Sequence, residues 1–333
     1  MHTYLITRCH GLMTRLLSPQ IINTLASVKN FQEIIDILNP TEYGKDIREQ
    51  ELINAFTLEE IFNKKLMDRC EHLLKAAPDN INEFLLAYYR KFEIQNILRL
   101  FRGKISKAPM EISDYALFPT DNISSIDMEA MAQATDAEEF ILNLKKTQYD
   151  QVIKSIEWYR KYDSFLPIEF HLKNIYYNML FQALTQLSLE DRKKVSQLIR
   201  AEVDITNCFT STAASVYGYD IEFIESLLIP YPLKLSLKTL GEVIRTNSPQ
   251  EILALLGPYS KIAKYLLSRD ETAAHTESLR LLRRETIRQR IEESMNFSYV
   301  MHYIFSSQFE CRDLTFITLA VQHNINPADY LSY

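Results

Sequence analysis

The apolar residues of this chain recur mainly at intervals of three and four, which is the spacing of a helix face. A representative run contains Ile94, Ile97, Leu98 and Phe101. Few stretches alternate between apolar and polar residues with a period of two, so no substantial sheet is expected. The pattern therefore predicts an all-α protein.

Proline and polar residues divide this pattern into predicted helices. Residues 1–40 are expected to form two helices joined at Ser18-Pro19, because proline fits naturally at a helix start. Thr57 and Glu60 resemble a capping box at the start of a helix that ends near Ala77. Linkers are predicted at 107–125 and 230–232. The remaining helices are predicted from residue 81, over 128–134 and 137–161, from 166, over 189–216 and 235–245, from 248, over 276–295, and finally to about 322.

Two sequence signatures each occur three times, in the same order. In the first, a glutamate in an apolar run precedes a tyrosine by ten, ten and eight residues, giving the pairs Glu33 and Tyr43, Glu139 and Tyr149, and Glu251 and Tyr259. In the second, an acidic residue lies three positions before an amide or acid, giving the pairs Glu93 and Asn96, Asp204 and Asn207, and Glu310 and Asp313. The period of about 110 residues is longer than that of ordinary solenoid repeats. We expect three similar helical domains, at 1–115, 116–225 and 226–333.

The acidic residues of the second signature have a chemical and a structural interpretation. A spacing of three places each pair on one helix face, and the flanking aliphatic residues indicate partial burial. Each unit also opens its long helix with a glutamate; these are Glu60, Glu169 and Glu285. Such carboxylates could bind a metal or act as acid and base catalysts. Catalytic sites rarely occur three times in one chain, so we favour a polar latch between helices, repeated because the domain is repeated.

Composition excludes several functional classes. The chain has six glycines, and no two are closer than sixteen positions, which excludes the clustered glycines of a Walker loop, a Rossmann fingerprint or a kinase loop. The net charge of −6 argues against nucleic acid as the main partner. No catalytic residue, metal site or cofactor is predicted. The cysteines lack a CxxC pairing and are expected to be reduced, mostly buried thiols of a cytoplasmic protein; they are Cys9, Cys70, Cys208 and Cys311.

The start of the chain does not resemble a signal peptide, because Arg8 and His10 interrupt it before an apolar core forms. The longest uncharged runs fall short of about 18 residues, so no transmembrane helix is expected. The most basic predicted helix carries Arg280, Arg284 and Arg288 at successive steps of four. This stripe could contact an acidic partner or anionic headgroups. We favour a solvated face, balanced by glutamates of the same helix; these are Glu285, Glu292 and Glu293.

Three stretches carry a resemblance to a known family. They are Thr3-Tyr4-Leu5-Ile6-Thr7-Arg8-Cys9-His10-Gly11-Leu12, Phe92-Glu93-Ile94-Gln95-Asn96-Ile97 and Glu202-Val203-Asp204-Ile205-Thr206-Asn207. With the threefold recurrence, they resemble the C subunit of the archaeal and bacterial V/A-type ATPase, which is called the d subunit in the eukaryotic enzyme. The resemblance covers nearly the whole chain. One departure is Asp313, which stands where the family usually carries Asn.

This resemblance implies a funnel of three helical domains around a pseudo-threefold axis. It implies that the closed side sits on the cytoplasmic face of the membrane proteolipid ring and that the open mouth receives the central stalk. It also implies a rotor adaptor that performs no chemistry and passes torque while the complex couples ATP to proton or sodium transport. Two alternatives are a generic helical scaffold unrelated to a rotary machine and an all-α enzyme that uses the recurrent carboxylates.

Overall fold

The computed structural model describes residues 3–106, 111–124, 126–292, 296–329 and 331–332. Throughout these ranges every regular element is helical, with seventeen α-helices and five short 3-10 helices. The prediction of an all-α fold is confirmed. In the part of the chain so described, no helix is both long and apolar enough to cross a membrane.

The first third of the chain contains six α-helices. They are α1 (Thr3–Met13), α2 (Pro19–Leu25), α3 (Phe31–Leu38), α4 (Gly44–Arg48), α5 (Ala55–Leu74) and α6 (Asp79–Ile105). The prediction of two helices before residue 40 is wrong, because the Asn30 side chain accepts a hydrogen bond from Glu33 N and starts a third helix there. The capping box predicted at Thr57 is also wrong: the N-cap of α5 is Asn54, which accepts from Thr57 N.

The middle third also contains six α-helices. They are α7 (Met128–Gln133), α8 (Ala137–Leu142), α9 (Ile156–Tyr162), α10 (Leu166–Ala183), α11 (Leu189–Tyr217) and α12 (Ile221–Leu227). The single helix predicted over 137–161 is interrupted. Lys146 adopts a left-handed conformation with φ of 69°, and a 3-10 helix, Asp150–Ser155, precedes α9. That conformation is costly for a residue with a Cβ and cannot continue a helix.

The last third contains five α-helices. They are α13 (Leu237–Arg245), α14 (Pro249–Leu256), α15 (Ser260–Leu267), α16 (Glu271–Glu292) and α17 (Phe297–His323). Gly257 has a φ of 47° and lies where α14 ends, a backbone conformation that glycine adopts readily. The predicted helix over 276–295 begins earlier, at Glu271, and its last residues, 293–295, lie outside the described ranges.

The packing of the long helices follows a cyclic order. Helix α6 packs against α10, α11 packs against α16, and α17 packs against α5. In chain order the long helices form three pairs, each with an opening and a closing helix: α5 and α6, α10 and α11, and α16 and α17. Each closing helix therefore contacts the opening helix of the next pair, and the closing helix of the last pair contacts the opening helix of the first. The buried apolar residues form one main core along these contacts, with a smaller cluster around Phe223 and Ile224.

Candidate functional site

The two recurrent signatures meet in space. The acidic residue of each closing helix accepts a hydrogen bond from the tyrosine of a different segment, and we call these contacts the first joint (Glu93–Tyr149), the second joint (Asp204–Tyr259) and the third joint (Glu310–Tyr43). All three tyrosines are essentially inaccessible to solvent. Burial is the main cause that raises the pKa of each phenol, so each hydroxyl keeps its proton and acts as a donor.

The first joint joins α6 to the segment that follows α8. Tyr149 OH donates to Glu93 Oε2 at 2.5 Å, and Gln148 Nε2 donates to the same oxygen at 2.9 Å. The Ser124 hydroxyl donates to Oε1 of Glu93. This buried carboxylate is therefore satisfied by neutral donors, as a polar group removed from water requires.

The second joint has the same plan with different donors. Tyr259 OH donates to Asp204 Oδ2 at 2.8 Å. The backbone N–H groups of Leu233 and Lys234 donate to Oδ1 and Oδ2 at 2.8 and 2.7 Å. Two successive N–H groups directed at one carboxylate fix the path of the chain between α12 and α13.

The third joint connects the last long helix to the first segments of the chain. Tyr43 OH donates to Glu310 Oε1 at 2.6 Å, and the backbone N–H of Leu17 donates to Oε2 at 2.5 Å. Arg69 Nη2 also contacts Oε1 at 2.6 Å and pairs with Glu42. This joint alone contains a buried guanidinium among its donors, so its carboxylate is matched by a cation.

The amide three positions later binds a backbone segment. Asn96 donates to Phe118 O at 2.8 Å and accepts from Phe118 N at 2.9 Å. Asn207 does the same with Ile229, at 2.9 and 2.8 Å. An amide side chain can pair in this way because it carries both a donor and an acceptor.

Asp313 cannot make that pairing, because an ionised carboxylate only accepts hydrogen bonds. It accepts instead from Ser332 N at 2.9 Å and from the Ser332 hydroxyl at 2.6 Å, so its partner residue supplies two donors. Arg283 lies 3.5 Å away. Burial raises the pKa of Asp313 above its ordinary value, opposed by Ser332 and the arginine. The departure from Asn thus accompanies a change of partner, from the backbone N–H and C=O of one residue to the backbone N–H and hydroxyl of a serine.

The glutamates of the first signature cap helices. Each is the third residue of its helix, and its backbone N–H donates to an N-cap side chain: Glu33 to Asn30, Glu139 to Asp136 and Glu251 to Ser248. The Glu33 and Glu139 side chains return to backbone N–H groups, of Lys29 at 3.1 Å and of Thr135 at 2.6 Å. The contacts are reciprocal at α3 and α8, which start ten residues before the joint tyrosine when counted from the glutamate. At α14 the Glu251 side chain accepts from the Thr246 hydroxyl instead, and the interval to Tyr259 is eight residues.

The other three predicted latch glutamates behave differently from one another. Glu60 is exposed, its neighbour Glu59 pairs with Arg99 at 2.7 Å, and a latch role for Glu60 stays a prediction. Glu169 is buried between Lys173 at 2.6 Å and Arg102 at 2.8 Å. Glu285 is partly exposed and pairs with lysine and arginine at its edge, Lys234 and Arg288.

Of these three glutamates, Glu169 is the one that is buried, and it pairs with two cations. Burial tends to raise its pKa, but Lys173 and Arg102 outweigh burial and hold it at about 2. Because Arg102 is on α6 and Glu169 is on α10, this pair adds a charged link between two long helices that already pack against each other.

The predicted basic stripe makes bonds within the molecule. Arg280 Nε donates to Leu331 O at 3.1 Å, Arg284 pairs with Glu277 at 3.3 Å, and Arg288 pairs with Glu285 at 2.7 Å. Arg284 and Arg288 keep most of their side-chain surface exposed. The side chains of Glu292 and Glu293 lie outside the described residues. Contact of this stripe with an acidic partner stays a prediction.

A groove lies where the three long helix pairs converge. It consists of two adjoining hollows of about 330 and 510 Å³ that share four wall residues: Glu202, Leu279, Leu282 and Arg312. We call it the central groove. Its walls come from α5 and α6, from α10 and α11, and from α16 and α17.

Lys91 links the three closing helices at this groove. Its ammonium on α6 donates to Glu202 Oε1 on α11 at 3.0 Å and to Tyr88 OH at 2.9 Å. It also lies 5.5 Å from the ring centroid of Phe305 on α17, within the range of a cation–π contact. One side chain therefore contacts residues of all three helices.

Arg69 and Lys91 are absent from the residues that the sequence singles out. Each is one of several cations in its long helix, and no recurring spacing sets it apart from the others. The joint tyrosines do carry a signal, the fixed interval from a helix-starting glutamate, but that interval does not show which carboxylate they reach. All four cysteines are buried, as expected, and burial raises their thiol pKa values to about 12. Across the described ranges, no cluster of three or more His, Cys, Asp or Glu residues is arranged to hold a metal ion.

Comparison with known proteins shows to which family the chain belongs. The sequence model of the ATP synthase (C/AC39) subunit family matches residues 5–333. The chain belongs to this family. One relative is the C subunit of the A-type ATP synthase of Pyrococcus abyssi, which is 22% identical over 336 residues, covering 98% of this chain and 88% of the relative. The resemblance found in the sequence is confirmed.

Two further C/AC39 relatives come from Methanosarcina species. The C subunit of the A-type ATP synthase of Methanosarcina mazei is 25% identical over 300 residues, which cover 84% of this chain and 81% of the relative. That of Methanosarcina acetivorans is 24% identical over 334 residues, which cover 95% and 88%. Both alignments therefore cover most of each protein at a low level of identity.

Proposed function

We propose that this C/AC39 chain is a non-catalytic adaptor of a V/A-type ATPase rotor. It joins the membrane proteolipid ring to the central stalk and passes torque between them, while ATP is hydrolysed or made in other subunits. Its membership of the family and its relatives, which are named as C subunits of A-type ATP synthases, support this role. The complex, through this rotor, drives or is driven by proton or sodium transport.

The proposal includes three similar helical units, at 1–115, 116–225 and 226–333, arranged as a funnel about a pseudo-threefold axis. The cyclic set of three joints is the observation that carries it. In each joint a carboxylate of one unit accepts a hydrogen bond from the tyrosine of the next unit, and the third joint returns to the first unit. That order supports a ring of units with no free end.

Closed cyclic packing suits a part that transmits torque. A twisting force on an open row of domains would bend it at its weakest contact. In a ring, the same force is shared among three buried joints, each satisfied by several donors. Breaking a buried, hydrogen-bonded carboxylate leaves uncompensated polar groups, which costs about 1–3 kcal/mol or more per group.

The central groove is the part of the molecule that we assign to the stalk, because it lies among all three long helix pairs. The opposite side of the ring would rest on the cytoplasmic face of the proteolipid ring, which makes the protein peripheral to the membrane. A broad, partly polar contact holds two bodies of different symmetry without requiring one fixed register. These placements are the ones that the family resemblance implies.

An affinity pull-down tests this role. The tagged chain is recovered from gently solubilised host membranes, and co-purifying proteins are identified by mass spectrometry. Recovery of proteolipid and central-stalk subunits, absent when the chain carries no tag, is the expected result. Recovery of the bait alone, or with only soluble partners unrelated to an ATPase, would overturn the proposal and favour a generic helical scaffold.

A further inference from the structure

A cleft of about 780 Å³ is bounded by α9 and α12 and shares no wall residue with the central groove. We call it the α9–α12 cleft. Trp158, Phe223 and Leu227 give it an apolar wall, and Ile221, which keeps 43% of its surface exposed, adds apolar surface to the same wall. A hollow of this volume is large enough to hold several side chains of a ligand.

Stacked aromatic rings hold α9 against α12. The ring centroids of Trp158 and Phe223 lie 3.9 Å apart, with the rings inclined by 20°. The backbone N–H of Asp220 donates to the Tyr162 hydroxyl at 2.9 Å, and the Asp220 carboxylate pairs with Lys161. The walls are therefore formed before any occupant arrives, which lowers the entropy lost on binding.

The floor of the cleft carries an uncharged pair. The hydroxyl of the fully buried Ser155 lies 2.6 Å from Nδ1 of His171. Burial, with a smaller contribution from Lys154, lowers the pKa of His171 to about 4, so the imidazole is neutral near pH 7. Among the described wall residues, Lys154 is then the one cation, against the carboxylates of Asp220 and Glu222.

The charges around the cleft are mainly negative. Four exposed carboxylates of its surrounding segments pair with no cation of the described ranges; they are Asp150, Glu157, Asp163 and Glu222. Two of the three cations in these segments are already paired, Arg160 with Glu138 and Lys161 with Asp220. Lys154 is the third. An occupant of the cleft therefore meets an excess of negative charge.

The negative charge of the whole chain is concentrated in the same third of the sequence. Residues 116–225 contain ten Lys and Arg against seventeen Asp and Glu, a net charge of −7, whereas the rest of the chain has 27 against 26. A field of one sign attracts partners of the opposite sign and speeds their association. The same field disfavours nucleic acid and anionic lipid headgroups as occupants.

We propose that the α9–α12 cleft binds a segment of a partner protein in which apolar side chains stand beside lysine or arginine. The apolar side chains pack on Trp158 and Phe223, and the cation pairs with Glu222. The Lys154 ammonium can donate to a backbone carbonyl of the segment, which a small amine would not supply. This inference goes beyond the adaptor role and does not depend on it.

Tryptophan fluorescence reports on this cleft, because Trp158 is the single tryptophan of the chain and forms part of the wall. Two short synthetic peptides without aromatic residues serve as probes of the full chain. One consists of leucine and lysine, and the other of leucine and glutamate in the same order. We expect the lysine peptide to change the fluorescence saturably, more weakly as salt is raised, and the glutamate peptide to leave it unchanged.

Charge reversal at the cleft gives the decisive comparison. Glu222→Lys should weaken binding of the lysine peptide about fivefold, because it replaces the attraction of a surface ion pair by repulsion. Glu190→Lys makes the same change of net charge at an exposed glutamate of α11 outside the cleft, and should change binding less than twofold. Ile221→Ser should also weaken binding, because it removes apolar surface from the wall. Circular dichroism checks that each variant is folded.

Several outcomes would overturn this inference. They are equal binding by Glu222→Lys and Glu190→Lys, equal responses to the two peptides, and no saturable response to the lysine peptide. The same response to spermine would identify a small cation as the occupant instead of a chain segment. A fluorescence change on concentrating the chain alone would identify a second copy as the occupant. Each of these results would leave the adaptor role standing, since the pull-down tests that role separately.

Discussion

Tyr43 donates its hydroxyl to Oε1 of Glu310 at 2.6 Å, across 267 positions of sequence. This contact closes the cycle of packed helices, because it joins the last long helix to a segment near the start of the chain. At the first and second joints, the polypeptide itself runs from the closing helix to the next segment. At the third joint, hydrogen bonds, ion pairs and packing alone hold the two sides together.

Loss of the Tyr43 hydroxyl should therefore destabilise the protein. Tyr43→Phe keeps the ring but removes one donor from a buried carboxylate, so we expect the free energy of unfolding to fall by about 1–3 kcal/mol. Glu310→Gln should cost more, about 3 kcal/mol, since it removes one of the two carboxylates that pair with the buried Arg69. Urea unfolding followed by circular dichroism measures both.

Tyr265→Phe is the matched control for the joint, because Tyr265 is a half-buried tyrosine of α15 outside the three joints. Its unfolding midpoint should stay close to that of the unmodified chain. Equal midpoints for Tyr43→Phe and Tyr265→Phe would show that the third joint contributes nothing measurable to stability.

Replacing the amide of Asn96, which binds the backbone of Phe118, by an acid should also destabilise the protein. Asn96→Asp places a carboxylate oxygen against Phe118 O, where the amide nitrogen now lies 2.8 Å away, so two acceptors would face each other. We expect a loss of at least about 2 kcal/mol, smaller at pH 4 than at pH 8 because protonation restores a donor. Thermal unfolding at the two pH values checks this.

At position 313 the opposite replacement, of the acid by an amide, should destabilise the protein. Asp313→Asn leaves one oxygen for the two donors of Ser332, so it should cost about 1 kcal/mol. Adding Ser332→Ala removes the second donor, and the double variant should lose less stability than the sum of the single variants. Strictly additive losses in this double-mutant cycle would contradict the proposed pairing.

Replacement of glycine by alanine should have opposite effects on stability at positions 44 and 11. A Cβ at Gly44 would lie 1.9 Å from the carbonyl oxygen of Asn39, so Gly44→Ala must displace backbone beside Tyr43. We expect a loss of about 1–3 kcal/mol or more. Gly11 is exposed within α1 with nothing near its Cβ position, so Gly11→Ala should stabilise the chain by about 0.5–1 kcal/mol. Melting temperatures that shift in the same direction would refute this account.

The sequence predicted the helical fold and the acidic residues that become buried, because helix periodicity and local spacing are properties of one segment. It could not predict that Glu93 reaches Tyr149 and that Glu310 reaches Tyr43, since these partners come from different parts of the chain. The interruption after α8 depends on the left-handed Lys146, a conformation for which lysine gives no signal. The start of α5 is also three residues earlier in sequence than the resemblance to a capping box at Thr57 predicts, because the Asn54 side chain accepts a hydrogen bond from Thr57 N.

The buried carboxylate of Glu169, which pairs with Arg102 and Lys173, should make the stability of the protein depend on pH. The ordinary pKa of a glutamate is 4.5, and in the folded protein the pKa of Glu169 is about 2, because Lys173 and Arg102 outweigh the effect of burial. The unfolded chain therefore binds this proton more tightly than the folded one. The stabilisation is complete above pH 4.5 and is lost as the pH falls through that value toward 2. A difference of this size corresponds to about 3 kcal/mol.

Glu169→Gln should remove that dependence. We expect the variant to be less stable than the unmodified chain at pH 7 and to lose less stability between pH 5 and pH 3, both measured by urea unfolding. Glu190→Gln serves as the control, because Glu190 is an exposed glutamate of α11 whose pairing with Lys194 is long, at 3.5 Å. A surface pair of that kind contributes little, so this control should keep the pH profile of the unmodified chain. If Glu169→Gln also keeps it, the buried pair between α6 and α10 is not what stabilises the protein above pH 4.5.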